Sequence, residues 1–143
     1  MLDDFRLVHR FRLVFADVDM LRHANNLAYA RWAETLRTDY FADVLGEPIG
    51  GERGIILART EIVYEKPLVY REHVAVGGRV TKFGTKSFEF VCEAWSEDRD
   101  ERCATIACAL VAFDYVANGT IAVPQAWRDK VAAFEAPAGV RPA

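Results

Sequence analysis

The first regular feature along the chain is an alternation. Between Val8 and Phe15, the apolar residues Phe11, Leu13 and Phe15 alternate with Arg10 and Arg12, the period of two that marks a strand with one buried face. If extended geometry continues, Asp17 and Asp19 fall on that same face, a costly place for a carboxylate without a partner or a task. The period then changes. From about Asn26 to Val44, the residues Tyr29, Ala30, Trp32, Ala33, Leu36, Tyr40, Phe41 and Val44 gather on about half of a helix, and Asn25 or Asn26 supplies its cap. Arg37 projects within the apolar arc and Glu34 lies just beyond its edge; three residues apart, they are placed to pair. A wide apolar face with an embedded ion pair predicts a helix partly enclosed by a sheet.

Gly46 to Gly54 holds four glycines and a proline and reads as a loop. Ile56, Ala58, Ile62 and Tyr64 share one face of the strand that follows, which ends near Pro67. Val74, Val76 and Val80 mark another strand, in which Gly77-Gly78 offers a bulge or a sharp bend. Phe88, Phe90, Cys92 and Ala94 alternate with Ser87, Glu89 and Glu93. The charged run Glu97 to Arg102 is a solvated turn, and residues 103 to 115 are apolar on both faces, as in a central strand. Asn118-Gly119 marks a turn, and Pro124 opens a short helix carrying Trp127, Val131 and Phe134. The order strand, long helix, four long strands predicts an α+β domain with an antiparallel sheet packed on one helix. It spans 1–135 as a single domain, with a loose C-terminal tail at 136–143.

Composition narrows the class. The chain has 143 residues, 52% apolar and 27% charged, the balance of a soluble globular domain with a sizeable core. A net charge of −3 without a basic stripe argues against a nucleic-acid partner. The longest nearly apolar run, Cys103 to Phe113, is well short of the roughly 20 residues of a membrane helix. Met1-Leu2-Asp3-Asp4 lacks the pattern of a signal peptide. Cys92, Cys103 and Cys108, odd in number and without metal spacing, read as reduced, buried thiols in the cytoplasm.

Several chemistries fall away. The two serines, Ser87 and Ser96, both lie outside any Gly-x-Ser-x-Gly element, although Lys86 directly precedes Ser87. Cys92 and Cys108 sit in apolar strand patterns that keep a thiol protonated. Asp17, Asp19 and His23 are metal-ligand types, but the only other histidines are His9 and His73, and neither a His-Glu-x-x-His helix nor a cysteine pair is present. Asp17-Val18-Asp19 after an apolar strand is similar to the first motif of haloacid-dehalogenase-like phosphatases. Leu21 breaks that motif, and consecutive strands do not build a parallel α/β sheet. What remains is the junction from Asp17 to Asn26. A helix start offers unpaired N–H groups and a partial positive charge, and a carboxylate beside such donors is equipped for attack on a carbonyl. Asp and Asn also cap helices and form turns; it is the concurrence of Asp17, Asp19, His23, Asn25 and Asn26 that points to chemistry.

Phe15-Ala16-Asp17-Val18-Asp19, His23-Ala24-Asn25-Asn26, Tyr29, Glu34 and Arg37 resemble the hot-dog-fold acyl-CoA thioesterases of the 4-hydroxybenzoyl-CoA thioesterase-like family. The resemblance continues through Ile62-x-Tyr64-x-x-Pro67-Leu68, Lys86-Ser87-Phe88, Val111-x-Phe113-Asp114 and the Pro124 helix, covering roughly residues 6 to 135. It implies a curved antiparallel sheet wrapped around one long central helix, and a homodimer or homotetramer with active sites at subunit interfaces. It implies Asp19 as nucleophile or general base, a backbone oxyanion donor near Asn26, and His23 and Asn25 shaping the pocket or positioning water. Tyr29, Lys86 and Ser87 join Asn25 as expected substrate contacts, Lys86 (with Lys82) at positions that meet coenzyme phosphates. Glu34 and Arg37 support the buried helix. Arg22 stands where the family often has glycine, which alters the turn, brings a cation to the ligand, or keeps Asp19 ionised by opposite charge. The implied reaction is hydrolysis of a small or medium acyl-CoA to a carboxylate and free CoA, with no metal or redox cofactor. Acyl carrier protein is a further possible donor, and a non-hydrolytic acyl-CoA-binding protein of the same fold is the alternative.

Overall fold

The computed structural model describes residues 2–136. Along the chain lie β1 (Leu7–Arg12), α1 (Asn26–Asp39), β2 (Arg53–Tyr64), β3 (His73–Phe83), β4 (Ser87–Ser96), β5 (Glu101–Asp114), β6 (Gly119–Thr120) and α2 (Gln125–Glu135). A wider π-type turn at Tyr40–Val44 extends α1, so the helix reaches its predicted end. The strands form one antiparallel sheet in the order β1-β3-β4-β5-β2, with β6 on β5. α1 packs against β1, β3, β4 and β5. This is the expected hot-dog architecture, a curled sheet around one long helix.

The helix forms because its cap and its buried stripe agree. Asn25 accepts a hydrogen bond from Leu27 N–H at 2.9 Å, satisfying one of the orphan donors of the first turn. Ala28, Tyr29, Ala33, Leu36, Tyr40 and Phe41 then follow at helical spacing and are buried. The Arg37–Glu34 pair forms at 3.4 Å, with the arginine side chain 12% exposed and the carboxylate 68% exposed. The carboxylate thus faces solvent while the arginine stays packed against the sheet.

The curl of the sheet comes from three register shifts, at Leu57/Arg59 in β2, at Val80/Lys82 in β3, and at Ala94/Trp95 where β4 meets β5. The bulge expected at Gly77-Gly78 is not there. These glycines lie flat in the ladder and make room for rings. A Cβ on Gly77 would come within 2.6 Å of Phe5 Cγ, and one on Gly78 within 2.6 Å of Phe90 Cζ. The shift in β2 also overturns its predicted face. It exchanges parity across Ala58, so Ile55 and Ile62 pack against the core while Ile56 points outward.

The largest departure lies just after β1. The strand stops at Arg12; Leu13 is still buried, but a tight 3-10 turn at Phe15–Asp17 carries the chain away, and Phe15 is 77% exposed. Asp17 and Asp19 therefore do not share one extended, core-facing surface with Phe11 and Leu13. At the other end, Pro124 precedes α2, whose Trp127, Val131 and Glu135 are buried. Apart from Ala136, the tail expected at 136–143 lies outside the described residues. Among the described residues no helix is long and apolar enough to cross a membrane.

Candidate active site

Backbone hydrogen bonds fold the β1–α1 junction against the segment that joins β2 to β3. Arg22 N–H donates to the Asp19 carbonyl at 3.0 Å and Asp19 N–H to the His23 carbonyl at 3.2 Å. They close a turn whose last residue, Arg22, has φ of 68°. Val18 pairs with Ala24, and His23 with Val69; Ala24 N–H donates to the Leu68 carbonyl at 2.8 Å. Within the turn, Asp19 Oδ1 accepts Leu21 N–H at 2.8 Å, the local bond that suits aspartate to such positions. Its second oxygen, Oδ2, meets no donor among the described residues.

Asp19 lines a cleft of about 830 Å³ with Phe15, Val18, Met20, Arg22, Val69 and Tyr70. The walls are mainly apolar, and the Phe15 and Tyr70 rings meet edge-on with centroids 6.1 Å apart. Among the described residues Arg22 forms no ion pair with Asp19 or with any other carboxylate. The expected contact between Arg22 and Asp19 is therefore not made, although both side chains line one cleft.

Asp17 is committed elsewhere. Its carboxylate pairs with Arg31 of α1, its carbonyl accepts Asn25 N–H at 2.6 Å, and it lines a separate cavity of about 260 Å³ with His9, Phe11 and Trp32. It clamps the tight turn onto the first turns of the helix.

At the mouth of α1 most amides are taken. Asn25 N–H is bound by Asp17, Leu27 N–H by the Asn25 side chain, and Ala28 N–H by the Asn25 carbonyl at 2.9 Å. Asn26 N–H meets no acceptor among the described residues, which leaves it as an open donor at the positive end of the helix. Tyr64 OH donates to the Asn26 carbonyl at 3.2 Å. His23, Asn26 and Tyr29 line a second cleft of about 270 Å³ together with Tyr64, Lys66 and Pro67. Burial, followed by the neighbouring Cys103, Tyr64 and Glu72, pushes the Tyr29 hydroxyl up to about 12, so it stays a neutral donor.

Asp19, His23, Asn25, Asn26 and Tyr29 thus meet at one junction, with Asp19 and Asn26 opening on two clefts. Lys86 and Ser87 do not join them within one chain. β4 runs roughly 30 Å from Ser87 to Ser96, and its Ser96 end is the one that touches the junction, through Glu72. Lys86 Nζ instead reaches the Thr120 hydroxyl at 3.4 Å.

Glu72 and Arg99 emerge only in the fold. Glu72 is 5% exposed. Its Oε1 accepts Arg99 Nε–H at 2.6 Å and the Ser96 hydroxyl, and its Oε2 accepts Val69 N–H at 2.9 Å. Arg99 also donates to the Pro67 carbonyl at 2.7 Å. Burial pushes the Glu72 carboxyl up, but the hydrogen bonds from Arg99, Ser96 and Val69 and the charge of Arg99 outweigh it and hold the group below its ordinary value. The pair fixes residues 67–72, which pair with His23 and Ala24 and form the Val69-Tyr70 wall. The available signal was an apolar Val69-Tyr70 step inside a polar turn; its arginine partner lies in the run read as a solvated turn.

Among the described residues no three His, Cys, Asp or Glu side chains gather as a metal ion would require. Cys92, Cys103 and Cys108 are buried and free. Burial pushes each thiol up, away from nucleophilic use.

A family model described as the thioesterase-like superfamily matches residues 13–136. No curated protein sequence matches the chain. Among solved structures, a thioesterase from Thermus thermophilus, complexed with coenzyme A and Zn, is 26% identical; the match covers 93% of this chain and 96% of that one, with a TM-score of 0.82. A thioesterase-superfamily protein from Jannaschia sp. CCS1 is 24% identical over 97% of this chain and 87% of that one, with a TM-score of 0.82. The PA5185 protein from Pseudomonas aeruginosa strain PAO1 is 23% identical over 92% and 93%, also with a TM-score of 0.82.

Proposed function

We propose, proceeding from the fact that this chain belongs to the thioesterase-like superfamily and is a thioester hydrolase, that it cleaves a small or medium acyl-CoA to a carboxylate and free CoA. One observation carries the reading: Asp19, whose carboxylate keeps one oxygen without a donor, stands at the same junction as the helix-start amide of Asn26, which meets no acceptor, both among the described residues. The coenzyme A held by the Thermus thermophilus thioesterase supports CoA as the leaving group.

The chemistry follows from those two groups. Asp19 takes a proton from a water that attacks the thioester carbon, or attacks that carbon itself to give an anhydride that water then opens. In both routes the C–S bond breaks, the sulfur leaves with the bonding pair, and protonation completes free CoA. Asn26 N–H and the helix dipole stabilise the oxyanion. His23, in the cleft of Asn26, holds the water or shapes the pocket, and Asn25 fixes the helix start. The neutral Tyr29 hydroxyl contributes a donor in the cleft of Asn26.

The active unit in this reading is two copies of the chain, as a dimer or within a tetramer. Among the described residues β2 pairs with β5 on one side only, and it presents the exposed side chains Ile56, Leu57, Val63 and Tyr64. A long, apolar, unpaired edge calls for cover. A second copy would cover it and would bring its own Lys86 and Ser87 towards the junction, where Lys86 meets coenzyme phosphates. Acyl carrier protein is a further donor under this reading, and three buried, free thiols support a reducing compartment such as the cytoplasm.

A panel of acyl-CoAs with a thiol reagent tests the proposal. Thiol release matched by carboxylate formation is expected. Saturable binding of acyl-CoA without thiol release would make the chain a binding protein and overturn it.

A further inference from the structure

Resting on the reading of Asp19 as the reacting carboxylate, we infer that Arg22 selects acyl groups that carry a second, anionic group. The substrate class is then the monothioester of a dicarboxylic acid. Three observations point this way. Arg22 lines the same cleft as Asp19. Among the described residues its guanidinium has no carboxylate partner, a state it shares with Arg6, Arg12, Arg59, Arg71, Arg79 and Arg128, but only Arg22 lines the cleft of Asp19. Its backbone is left-handed, with φ of 68°, a conformation that is costly for an L-residue and nearly free for glycine. An arginine in a conformation that favours glycine invites a functional reading; Arg71 shares the conformation, with φ of 71°, but lies outside the cleft of Asp19.

The geometry sets what that function is. Arg22 and Asp19 end one hydrogen-bonded turn, closed at 3.0 Å, yet their side chains do not pair. The cleft therefore offers a carboxylate for the thioester and, a few bonds away, a free fork of donors. A guanidinium matches a carboxylate with two parallel hydrogen bonds, and Val18, Met20 and Tyr70 give the cleft apolar walls beside it. The long pantetheine arm holds the phosphates of CoA far from the thioester. An acid on the acyl group lies within a few bonds of it, which favours the acyl side as the source of the anion.

The test compares succinyl-CoA with butyryl-CoA in the wild type, Arg22→Gly and Arg22→Lys. Glycine suits the local φ, so the variant is expected to fold. The ratio of kcat/KM for succinyl over butyryl is expected to fall by about tenfold in Arg22→Gly and to recover in part in Arg22→Lys. A fall of less than about fivefold overturns the inference. Butyryl-CoA against butyryl-pantetheine forms the second arm; a fall confined to that ratio assigns Arg22 to the coenzyme phosphates and equally overturns it. Absence of thiol release in the wild type would contradict the hydrolase reading alone. The ratio of dissociation constants for the same ligand pairs, measured by calorimetry, then decides the role of Arg22 on the same threshold.

Discussion

Asp17 and Asp19, two residues apart, face different cavities and different fates. Asp17 is bound by Arg31 of α1, while Asp19 touches only the Leu21 amide and keeps one oxygen open. The tight turn at Phe15–Asp17 makes this separation; an extended backbone would have turned both to the same side. One carboxylate holds the junction together; under the proposed function the other is left for chemistry.

Asp17→Asn is accordingly expected to act on stability. The pair it loses is half-exposed on the arginine side, so the cost is about 1 kcal/mol, a fall of a few degrees in Tm. Thermal melts check this, and saturating substrate should restore most of the turnover of the variant. Loss of turnover on the scale expected for Asp19, with an unchanged Tm, would mean that the two roles are reversed.

Glu72 ties stability to acid. Its carboxyl titrates below the ordinary value of 4.5 when folded, so its contribution is fully present above about pH 4.5 and is lost as pH falls through the lower folded value. Glu72→Gln leaves Arg99 without its buried counter-charge and is expected to cost about 2 kcal/mol at neutral pH. The gap between wild type and variant in urea melts should close below about pH 4. A gap that stays constant across that range would contradict the assignment.

Glu135 works in the opposite sense. It is fully buried in α2, with Oε1 accepting the Tyr40 hydroxyl at 2.7 Å and Oε2 without a donor among the described residues. Burial pushes its carboxyl above 4.5, against the Tyr40 hydrogen bond and the charges of Arg79 and Arg6. The folded state holds this proton more tightly than the unfolded chain. The group therefore stabilises most below about pH 4.5, and that contribution is lost as pH rises through the raised folded value. Glu135→Gln keeps the acceptor and removes the charge. Its Tm is expected to exceed the wild type at about pH 8, with the difference shrinking towards pH 4. An equal difference at both would show that ionisation of Glu135 plays no part.

The elements whose local preference and packing agree were legible in the sequence. The α1 stripe, the cap at Asn25, the Arg37–Glu34 pair and the four long strands after the helix all follow from periods of 3.6 and 2. Departures arise where a single residue changes the count. The register shift at Ala58 exchanges the faces of β2, and the turn at Phe15 ends the alternation early. Neither leaves a mark on hydrophobic pattern alone. Gly77 and Gly78 looked like a bend because the rings they accommodate, Phe5 and Phe90, come from distant parts of the chain. The site divides in the same way. The junction residues are neighbours in sequence and were found together, whereas Glu72 and Arg99, 27 positions apart, become partners only when β3 and β4 pair.

The most direct test of the account is the turnover of Asp19→Asn on an acyl-CoA that the wild type hydrolyses. The amide oxygen still accepts Leu21 N–H, so circular dichroism and Tm should match the wild type. The rate of thiol release should fall by about a hundredfold or more. A folded Asp19→Asn protein that releases thiol at near wild-type rate would contradict the claim that this carboxylate performs the reaction.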